Sequence, residues 1–265
     1  MLSKSQINSV TELLRNAGTE IMHVYRLDDF RIKIKDDESP VTIADLASDK
    51  IIKNGLEKIT PGIPVFSEET KDIDYSIRSS WENLWILDPL DGTKEFIARN
   101  DEFCISLALI SKHSPVAGFI YAPVTGEFWY AIKGKGAYRI ENNSEIKLPL
   151  EESSGPYRIN ISRTHHGEKE ASWIEAFEKT NSVEIRIHGS AIKFCRIAEG
   201  ASDIYPKFSL IHEWDIAAGH IIIEESGGRI IEPSTGLPPL YNKEDYHQPS
   251  FIAFGKRVTD WEKWV

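Results

Sequence analysis

The most constraining feature of this chain is the segment Asp88-Pro89-Leu90-Asp91-Gly92-Thr93, which directly follows an apolar run at residues 84–87. The run predicts a buried strand, so the segment lies where that strand ends. Two carboxylates in such a position are costly to bury without a partner, and hard divalent cations are their usual partner. A metal-and-phosphate turn and an ordinary solvated turn both fit the segment taken alone, because Asp, Pro and Gly are common turn residues.

Three further acidic segments favour the metal interpretation. Glu68 and Glu69 follow a second short apolar strand. Asp45 lies in the first turn of a predicted helix, and Asp215 starts another helical stretch. Each acid alone fits a helix cap or a strand end. Their repetition at the ends of four elements favours a metal site over four separate caps.

Composition and charge limit the kinds of partner. The chain has 265 residues, of which 41% are hydrophobic and 27% charged, as in a soluble globular protein of one large domain or two intimate halves. The net charge of −10 disfavours a nucleic-acid or anionic-membrane binder. An anionic small-molecule substrate remains compatible, since a bound metal can invert the local charge.

The cysteines and the apolar pattern indicate a cytoplasmic protein. Cys104 and Cys195 lie in apolar surroundings, which predicts buried free thiols and no disulfide framework. The first residues lack the apolar core of a secretion signal, and no apolar run approaches the roughly 20 residues of a membrane span.

Hydrophobic periodicity predicts helices and strands throughout. Helices are expected over residues 5–25 and from residue 43, where Thr42 and Asp45 resemble a capping box. Residues 104–140 predict an antiparallel meander. After residue 157 helices alternate with strands, and one of these helices is predicted over residues 190–198. The segment 141–156, which lies between these two regions, is polar and rich in turn residues. It predicts a soft boundary that divides the chain into halves 1–150 and 151–265. This alternation predicts layered sheets and helices.

Taken together, Glu68-Glu69, the segment 88–93 and residues 214–219 (Trp-Asp-Ile-Ala-Ala-Gly) resemble the inositol monophosphatase superfamily of magnesium-dependent, lithium-inhibited phosphomonoesterases. The resemblance implies an α+β fold, a layered α-β-α-β-α sandwich of two intimately packed halves. Two residues separate Asp88 from Asp91, whereas haloacid dehalogenases have one between their acids. A phospho-aspartate mechanism is therefore not favoured.

Within the superfamily the chain is more similar to the bisphosphate nucleotidases. The segments that carry this similarity are Lys94-Glu95-Phe96, residues 162–166 (Ser-Arg-Thr-His-His) and residues 189–195 (Gly-Ser-Ala-Ile-Lys-Phe-Cys). It implies hydrolysis of the 3′-phosphate of adenosine 3′,5′-bisphosphate to AMP, which clears a by-product of sulfur assimilation. By analogy with some bacterial relatives it also implies peripheral association with the inner membrane, and a homodimer.

The resemblance also implies roles for individual residues. About two or three Mg²⁺ ions are expected. Their ligands are the carboxylates of Glu68, Asp88, Asp91 and Asp215 and the backbone carbonyl of Leu90. Asp45 and Thr93 are expected to form the catalytic, water-activating pair. Glu69 is expected behind these ligands or at a weakly held third ion. The backbone N–H groups of Gly92 and Thr93 are expected to contact the scissile phosphate.

Substrate recognition is expected from the second half of the chain. Ser190, Lys193 and Lys207 are expected to hold the 5′-phosphate and ribose, with His165 near the adenine or its phosphate. The substrate-binding set also includes the shared metal-site residues Glu68, Leu90, Asp91, Gly92, Thr93 and Asp215. Lys207 replaces the usual Arg of these enzymes, and Lys holds phosphate only as a point charge.

Alternatives remain open for both residues and function. Lys193 also fits a solvated helix charge, and His165 with His166 also fits a surface pair. His212 matches a histidine of the inositol enzymes, so an inositol or sugar phosphate phosphatase is the second interpretation. A catalytically silent, metal-dependent nucleotide-binding protein is the third, and the presence of all expected catalytic residues argues against it.

Overall fold

The computed structural model describes residues 2–27, 32–34, 40–142, 144–150, 154–163 and 167–265. The strands, numbered along the chain, are β1 (Lys33–Ile34), β2 (Pro40–Val41), β3 (Val65–Ser67), β4 (Asn83–Asp91), β5 (Cys104–Ser111), β6 (Ser114–Ala122), β7 (Glu127–Ile132), β8 (Gly136–Glu141), β9 (Ser144–Lys147), β10 (Tyr157–Ser162), β11 (Val183–His188), β12 (Ile204–Lys207), β13 (Ile211–His212), β14 (Arg229–Ile231), β15 (His247–Gln248) and β16 (Phe251–Phe254).

Helices flank these strands along the whole chain. The α-helices are α1 (Lys4–Tyr25), α2 (Ile43–Ile59), α3 (Tyr75–Arg78), α4 (Thr93–Ile97), α5 (Glu168–Glu178), α6 (Ile192–Glu199) and α7 (Glu213–Glu225), and short 3₁₀ helices cover Glu68–Thr70 and Trp261–Trp264. No described helix is long and apolar enough to cross a membrane.

A seven-stranded sheet with the order β3-β4-β5-β6-β7-β8-β9 contains the predicted meander. Strands β3 and β4 are parallel, and the following neighbours are antiparallel. Side chains of β4 alternate between two cores, because successive residues of a strand point to opposite faces. Trp85 and Leu87 pack with α1 and α2, whereas Leu84 and Ile86 pack with α6 and α7. The sheet is therefore covered by helices on both faces.

A five-stranded sheet with the order β11-β10-β12-β16-β14 forms the second layer of strands. Strands β10, β11 and β12 run parallel, and β16 pairs antiparallel with its two neighbours. Phe177 of α5 joins Ile159, Ile204 and Phe254 in a core on this sheet. Helices α6 and α7 contact β12 and β14 and also the seven-stranded sheet.

The resulting order is α1/α2, seven-stranded sheet, α6/α7, five-stranded sheet, α5. The predicted α+β fold, an α-β-α-β-α sandwich, is confirmed. The two sheets occupy residues 65–147 and 157–254, and the division into halves 1–150 and 151–265 stays a prediction. Cys104 and Cys195 are buried free thiols as expected.

Local signals located most elements correctly, with one informative difference. Thr42 and Asp45 form the predicted capping box at the start of α2. The helix predicted to begin at Ser190 begins instead at Ile192, because Ser190 has φ 45° and belongs to a turn. That left-handed conformation is unusual for a non-glycine residue and lies in the candidate site.

Candidate metal and phosphate site

The end of β4 brings two acids to one point. The pairing of β4 with β5 shifts register between Asp88 and Asp91, so Pro89 and Leu90 leave the regular ladder. Asp88 stays buried and accepts a hydrogen bond of 2.9 Å from the N–H of Leu90. The irregularity turns the chain directly after a buried strand and exposes carboxylate oxygens to one cavity.

A third acid comes from the first turn of α7. Asp215 accepts a hydrogen bond of 2.7 Å from the N–H of His212, which fixes one carboxylate oxygen at the helix start. One oxygen each from Asp88, Asp91 and Asp215 lie within 4.8 Å of one another. The strand end and the helix start thus converge, although they are far apart in the sequence.

The protonation equilibria show how unfavourable this convergence is without a cation. Burial and the charge of Glu68 raise the pKa of Asp88 well above its usual range. Burial and the charge of Asp215 raise the pKa of Asp91 to about 7. Carboxylates that repel one another in a buried cluster are stabilised by a divalent cation with oxygen ligands. The donor set therefore fits Mg²⁺.

Glu68 and Glu69 follow β3, whose end lies beside that of β4 because the two strands are parallel. Glu68 lines the same cavity, and its charge raises the pKa values of Asp88 and Asp45. It is not one of the three carboxylates that meet within 4.8 Å. Glu69, one residue further, is outside the cavity lining.

Asp45 and Thr93 lie within hydrogen-bonding distance of each other. The Thr93 hydroxyl lies 3.1 Å from Oδ1 of Asp45 and 3.2 Å from the carbonyl oxygen of Leu90. Oδ2 of Asp45 accepts from the N–H and the hydroxyl of Thr42, at 2.8 and 2.6 Å. Burial raises the pKa of Asp45 to about 6, against these hydrogen bonds. The helix cap therefore orients the carboxylate that contacts Thr93.

Gly92 is required by its conformation and by its neighbours. It has φ 95° and precedes the first residue of α4. A Cβ atom there would lie 3.1 Å from the carbonyl oxygen of Glu102 and 3.3 Å from Cβ of Ser190. Only glycine combines this φ with such close approach, so the backbone beside Thr93 remains accessible to a ligand.

The turn before α6 is held by residues from distant parts of the chain. Its Ala191 N–H donates to Oδ2 of Asp91, and its Gly189 N–H donates to Oε2 of Glu102 at 2.9 Å. Glu102 also pairs with Arg163 at 2.9 Å. Although burial acts in the opposite direction, the hydrogen bonds from Arg163 and Gly189 hold the pKa of Glu102 below its ordinary value. These contacts position Ser190 at the cavity.

Sequence reasoning missed Glu102. It follows Asp101 in the loop between α4 and β5, and no local pattern distinguishes it from a solvated loop residue. Its importance follows only from the tertiary contacts to Gly189 and Arg163.

Lys193 and Lys207 both line the cavity and are almost fully buried. The ammonium group of Lys193 donates to the carbonyl oxygens of Ser190, at 2.7 Å, and His188, at 3.4 Å. Burial and the charge of Lys193 lower the pKa of Lys207 to about 8. Lys193 is therefore not a solvated helix charge, and the two buried cations provide a place for an anion.

The cavity has a volume of about 340 Å³ and combines this cationic part with the acidic cluster. Its wall includes His212, whose ring stacks on Trp214 with 4.6 Å between ring centres. Further wall residues that the sequence did not single out are Tyr205, Ser209, Leu210 and Phe251. His165 and His166 lie outside the described residues, so the expectations for them stay predictions.

A model of the inositol monophosphatase family matches residues 4–260. The chain belongs to the inositol monophosphatase family. The 3′(2′),5′-bisphosphate nucleotidase CysQ of Salmonella typhimurium is 37% identical over 246 residues, which cover 92% of this chain and 98% of that relative. The CysQ of Escherichia coli strain K12 is 36% identical over 247 residues, with the same coverage of 92% and 98%.

Solved structures of the inositol monophosphatase family have the same fold. The CysQ structure from Bacteroides thetaiotaomicron superposes with a TM-score of 0.85 at 37% identity, covering 95% of this chain and 98% of that chain. An IMPase structure from Thermotoga maritima superposes with a TM-score of 0.77 at 28% identity, covering 97% and 94%. The resemblance to the family, and within it to the bisphosphate nucleotidases, is confirmed.

Proposed function

We propose that this chain is a magnesium-dependent phosphomonoesterase that removes the 3′-phosphate of adenosine 3′,5′-bisphosphate, giving AMP and phosphate. Its relatives named 3′(2′),5′-bisphosphate nucleotidase cover nearly the whole chain. The observation that carries the proposal is a single cavity lined by the carboxylate cluster and by Lys193 and Lys207. A substrate with two phosphates matches a site with two kinds of phosphate-binding group.

The metal ligands are side-chain and backbone oxygens at the ends of β3 and β4 and the start of α7. They are Glu68, Asp88, the Leu90 carbonyl, Asp91 and Asp215, and Glu69 is the next residue along the chain after Glu68. Two or three Mg²⁺ ions bound there supply charge neutralisation for the scissile phosphate and acidify water. The raised pKa values of Asp88 and Asp91 support this assignment, because a cation removes the repulsion that raises them.

Thr93 and Asp45 orient the attacking water. When the Thr93 hydroxyl donates its proton to Oδ1 of Asp45, its lone pairs are left to accept a hydrogen bond from water. The Thr42 cap holds Asp45 in the required orientation. The phosphate is transferred directly to water, and no side chain becomes phosphorylated. The Gly92 and Thr93 backbone contacts the scissile phosphate.

The 5′-phosphate and ribose bind at Ser190, Lys193 and Lys207. An ammonium group has three donors, and two of those on Lys193 point to the carbonyl oxygens of Ser190 and His188. Lys193 thus has one donor for phosphate and also supports the turn that carries Ser190. Lys207 supplies the second cation, as a point charge rather than the bidentate contact of Arg.

The second candidate function is hydrolysis of inositol or sugar phosphates. The stacked pair His212 and Trp214 in the cavity wall favours it, since His212 matches the inositol enzymes. We further propose that the protein acts in the cytoplasm on a small-molecule nucleotide, and as a homodimer.

Product identification tests the proposed reaction. Adenosine 3′,5′-bisphosphate is incubated with the protein and Mg²⁺, and the nucleotide product is separated against adenosine 5′-phosphate and adenosine 3′-phosphate standards. The 5′-phosphate alone is expected. Adenosine 3′-phosphate as the main product would mean that the substrate binds in the opposite orientation, with its 5′-phosphate at the metal site. The absence of any product would reject the proposal that the protein is a nucleotidase.

A further inference from the structure

Residues 208–210 form part of the cavity wall between two strands. Strand β12 pairs with β16 as far as Lys207, and the pairing of β13 with β15 begins at Ile211, so residues 208–210 lie between the two ladders. With one neighbour on each side they form the cavity segment, residues 207–211, of which all but Phe208 line the cavity. Backbone N–H groups between ladders bond to side chains or to water. The position of this segment therefore depends on contacts from other parts of the chain.

Apolar burial fixes the cavity segment only in part. Leu210 is 68% exposed, although it is large and apolar. Phe208 packs against the core of the five-stranded sheet but is itself only partly buried. The stabilisation from apolar contacts is roughly proportional to the area removed from water. Hydrogen bonds to the backbone are therefore needed to hold the segment in one place.

Glu170, in the first turn of α5, accepts these hydrogen bonds. It is 4% exposed, and its Oε1 accepts from the N–H of Phe208 at 2.8 Å and from the N–H of Ser209 at 3.3 Å. Its Oε2 accepts from the N–H of Gly167 at 3.1 Å, at the start of the helix. A single carboxylate thus joins the start of α5 to the cavity segment.

Glu170 also acts on the charge of Lys207. Although burial acts in the opposite direction, the N–H groups of Phe208 and Gly167 and the charge of Lys207 hold the pKa of Glu170 below its ordinary value. Burial and the charge of Lys193 lower the pKa of Lys207, and the charge of Glu170 opposes them. Hydrogen bonds to an ionised acceptor are stronger than those to a neutral one. The ionised carboxylate therefore fixes the backbone and supports the neighbouring cation.

We propose that Glu170 is a positioning residue for substrate recognition, which holds the cavity segment and Lys207 at the 5′-phosphate end of the bound nucleotide. Glu170 does not line the cavity, so it acts through the segment rather than by touching the substrate. A helix cap alone needs only the oxygen that faces Gly167, whereas the other oxygen faces Phe208 and Ser209. This role rests on the proposed function, which places the 5′-phosphate at Lys207.

Steady-state kinetics with Mg²⁺ on two substrates test the role. Glu170→Ala should raise KM for adenosine 3′,5′-bisphosphate by roughly tenfold with little change in kcat, because binding is weakened while the metal ligands and Thr93 remain. The rise should be smaller for adenosine 3′-phosphate, which lacks the 5′-phosphate. Glu170→Gln keeps an oxygen that can accept from Phe208 and Ser209, and it should recover most of the affinity.

Two further variants separate this role from the stability of α5. Glu168→Ala removes an exposed acid from the same helix turn and should leave both constants unchanged. Ser250→Ala removes the hydrogen bond of 3.2 Å from its hydroxyl to the carbonyl oxygen of Phe208 and leaves α5 intact. It should raise KM for the bisphosphate in the same direction, by a smaller factor. This variant tests the segment even if Glu170→Ala does not fold.

Amide hydrogen exchange tests the contacts without any substrate. In Glu170→Ala the cavity segment should exchange faster than in the wild type, and residues 88–93 should not. An equal loss of kcat on both substrates, unchanged exchange in the segment, or a Gln variant as impaired as the Ala variant would each overturn the positioning role. A wild type that does not hydrolyse the bisphosphate would instead reject the proposed function, and hydrogen exchange would still decide whether Glu170 holds the segment.

Discussion

The hydroxyl of Thr93 lies 3.1 Å from Oδ1 of Asp45, while the other oxygen of that carboxylate caps helix α2. Asp45 thus links the start of α2 to Thr93, which follows the acidic end of β4. The capping box predicted from the sequence is also part of the candidate catalytic machinery.

Replacing Thr93 by Ala should lower kcat by about 10²- to 10⁴-fold with little change in KM, because the oriented hydroxyl is lost while the metal ligands remain. Steady-state phosphate release measures both constants. Thr93→Ser keeps the hydroxyl and is the matched control, which should retain most of the activity. An Ala variant within a few-fold of the wild type would remove Thr93 from the reaction.

Asp91→Asn should abolish turnover and yet stabilise the metal-free protein at pH 8. The pKa of Asp91, raised to about 7 by burial and by Asp215, lies above its unfolded value near 4. The folded state thus binds the extra proton, and stability falls as pH rises from about 4 to 7. An Asn side chain does not titrate, so the variant lacks the part of this fall in stability that comes from Asp91.

Urea denaturation in EDTA at pH 5 and pH 8 measures the effect. The difference in stability between the two pH values should be smaller for Asp91→Asn than for the wild type. An equal difference in both proteins, or full activity of the variant, would show that Asp91 is not part of the repulsive cluster.

Glu102→Ala should raise the Mg²⁺ concentration needed for half-maximal activity. Without Glu102 the Gly189 N–H loses its acceptor, and the turn that donates the Ala191 N–H to Asp91 becomes less well fixed. Glu102→Gln keeps an acceptor and should restore most of the affinity. Glu82→Ala, at an exposed site, is the control. Unchanged Mg²⁺ dependence in Glu102→Ala would assign Glu102 to packing alone.

Lys207 should make catalysis sensitive to alkaline pH for substrates with a 5′-phosphate. Its pKa is lowered to about 8 by burial and by Lys193, so its positive charge is lost as pH rises through 8. The value of kcat/KM reports the free enzyme, and for adenosine 3′,5′-bisphosphate it should fall above pH 8. The fall should be smaller for adenosine 3′-phosphate.

Lys207→Arg keeps its charge at these pH values and should remove the alkaline fall. Lys207→Ala should reduce kcat/KM for the bisphosphate much more than for the monophosphate. Lys193→Ala is expected to affect both substrates, because Lys193 also supports the Ser190 turn. Equal losses on both substrates in Lys207→Ala would place Lys207 outside the recognition site.

Local patterns predicted the elements of this fold well. The spacing of apolar residues located α1 and β4, and the Thr42–Asp45 pair located the start of α2, because each depends on neighbours within a few residues. The acidic segments at the ends of β3 and β4 and at the start of α7 were also visible. Asp88, Asp91 and Asp215 converge, and Glu68 lines the same cavity.

The turn at Ser190 was not predictable in the same way. Residues 190–198 have a helical pattern, but Ser190 takes φ 45° because Asp91 and Glu102 hold the neighbouring N–H groups. These two contacts span 100 and 87 residues of the chain. For the same reason the sequence could not show that Lys193 is buried beneath this turn.

The most direct test of the account is phosphate release with Mg²⁺ from adenosine 3′,5′-bisphosphate and myo-inositol 1-phosphate, side by side, with and without lithium. A strong preference for the nucleotide, abolished in Lys207→Ala, is the predicted result. A preference for inositol phosphate would retain the metal mechanism but contradict the assignment of Ser190, Lys193 and Lys207, and would direct attention to His212.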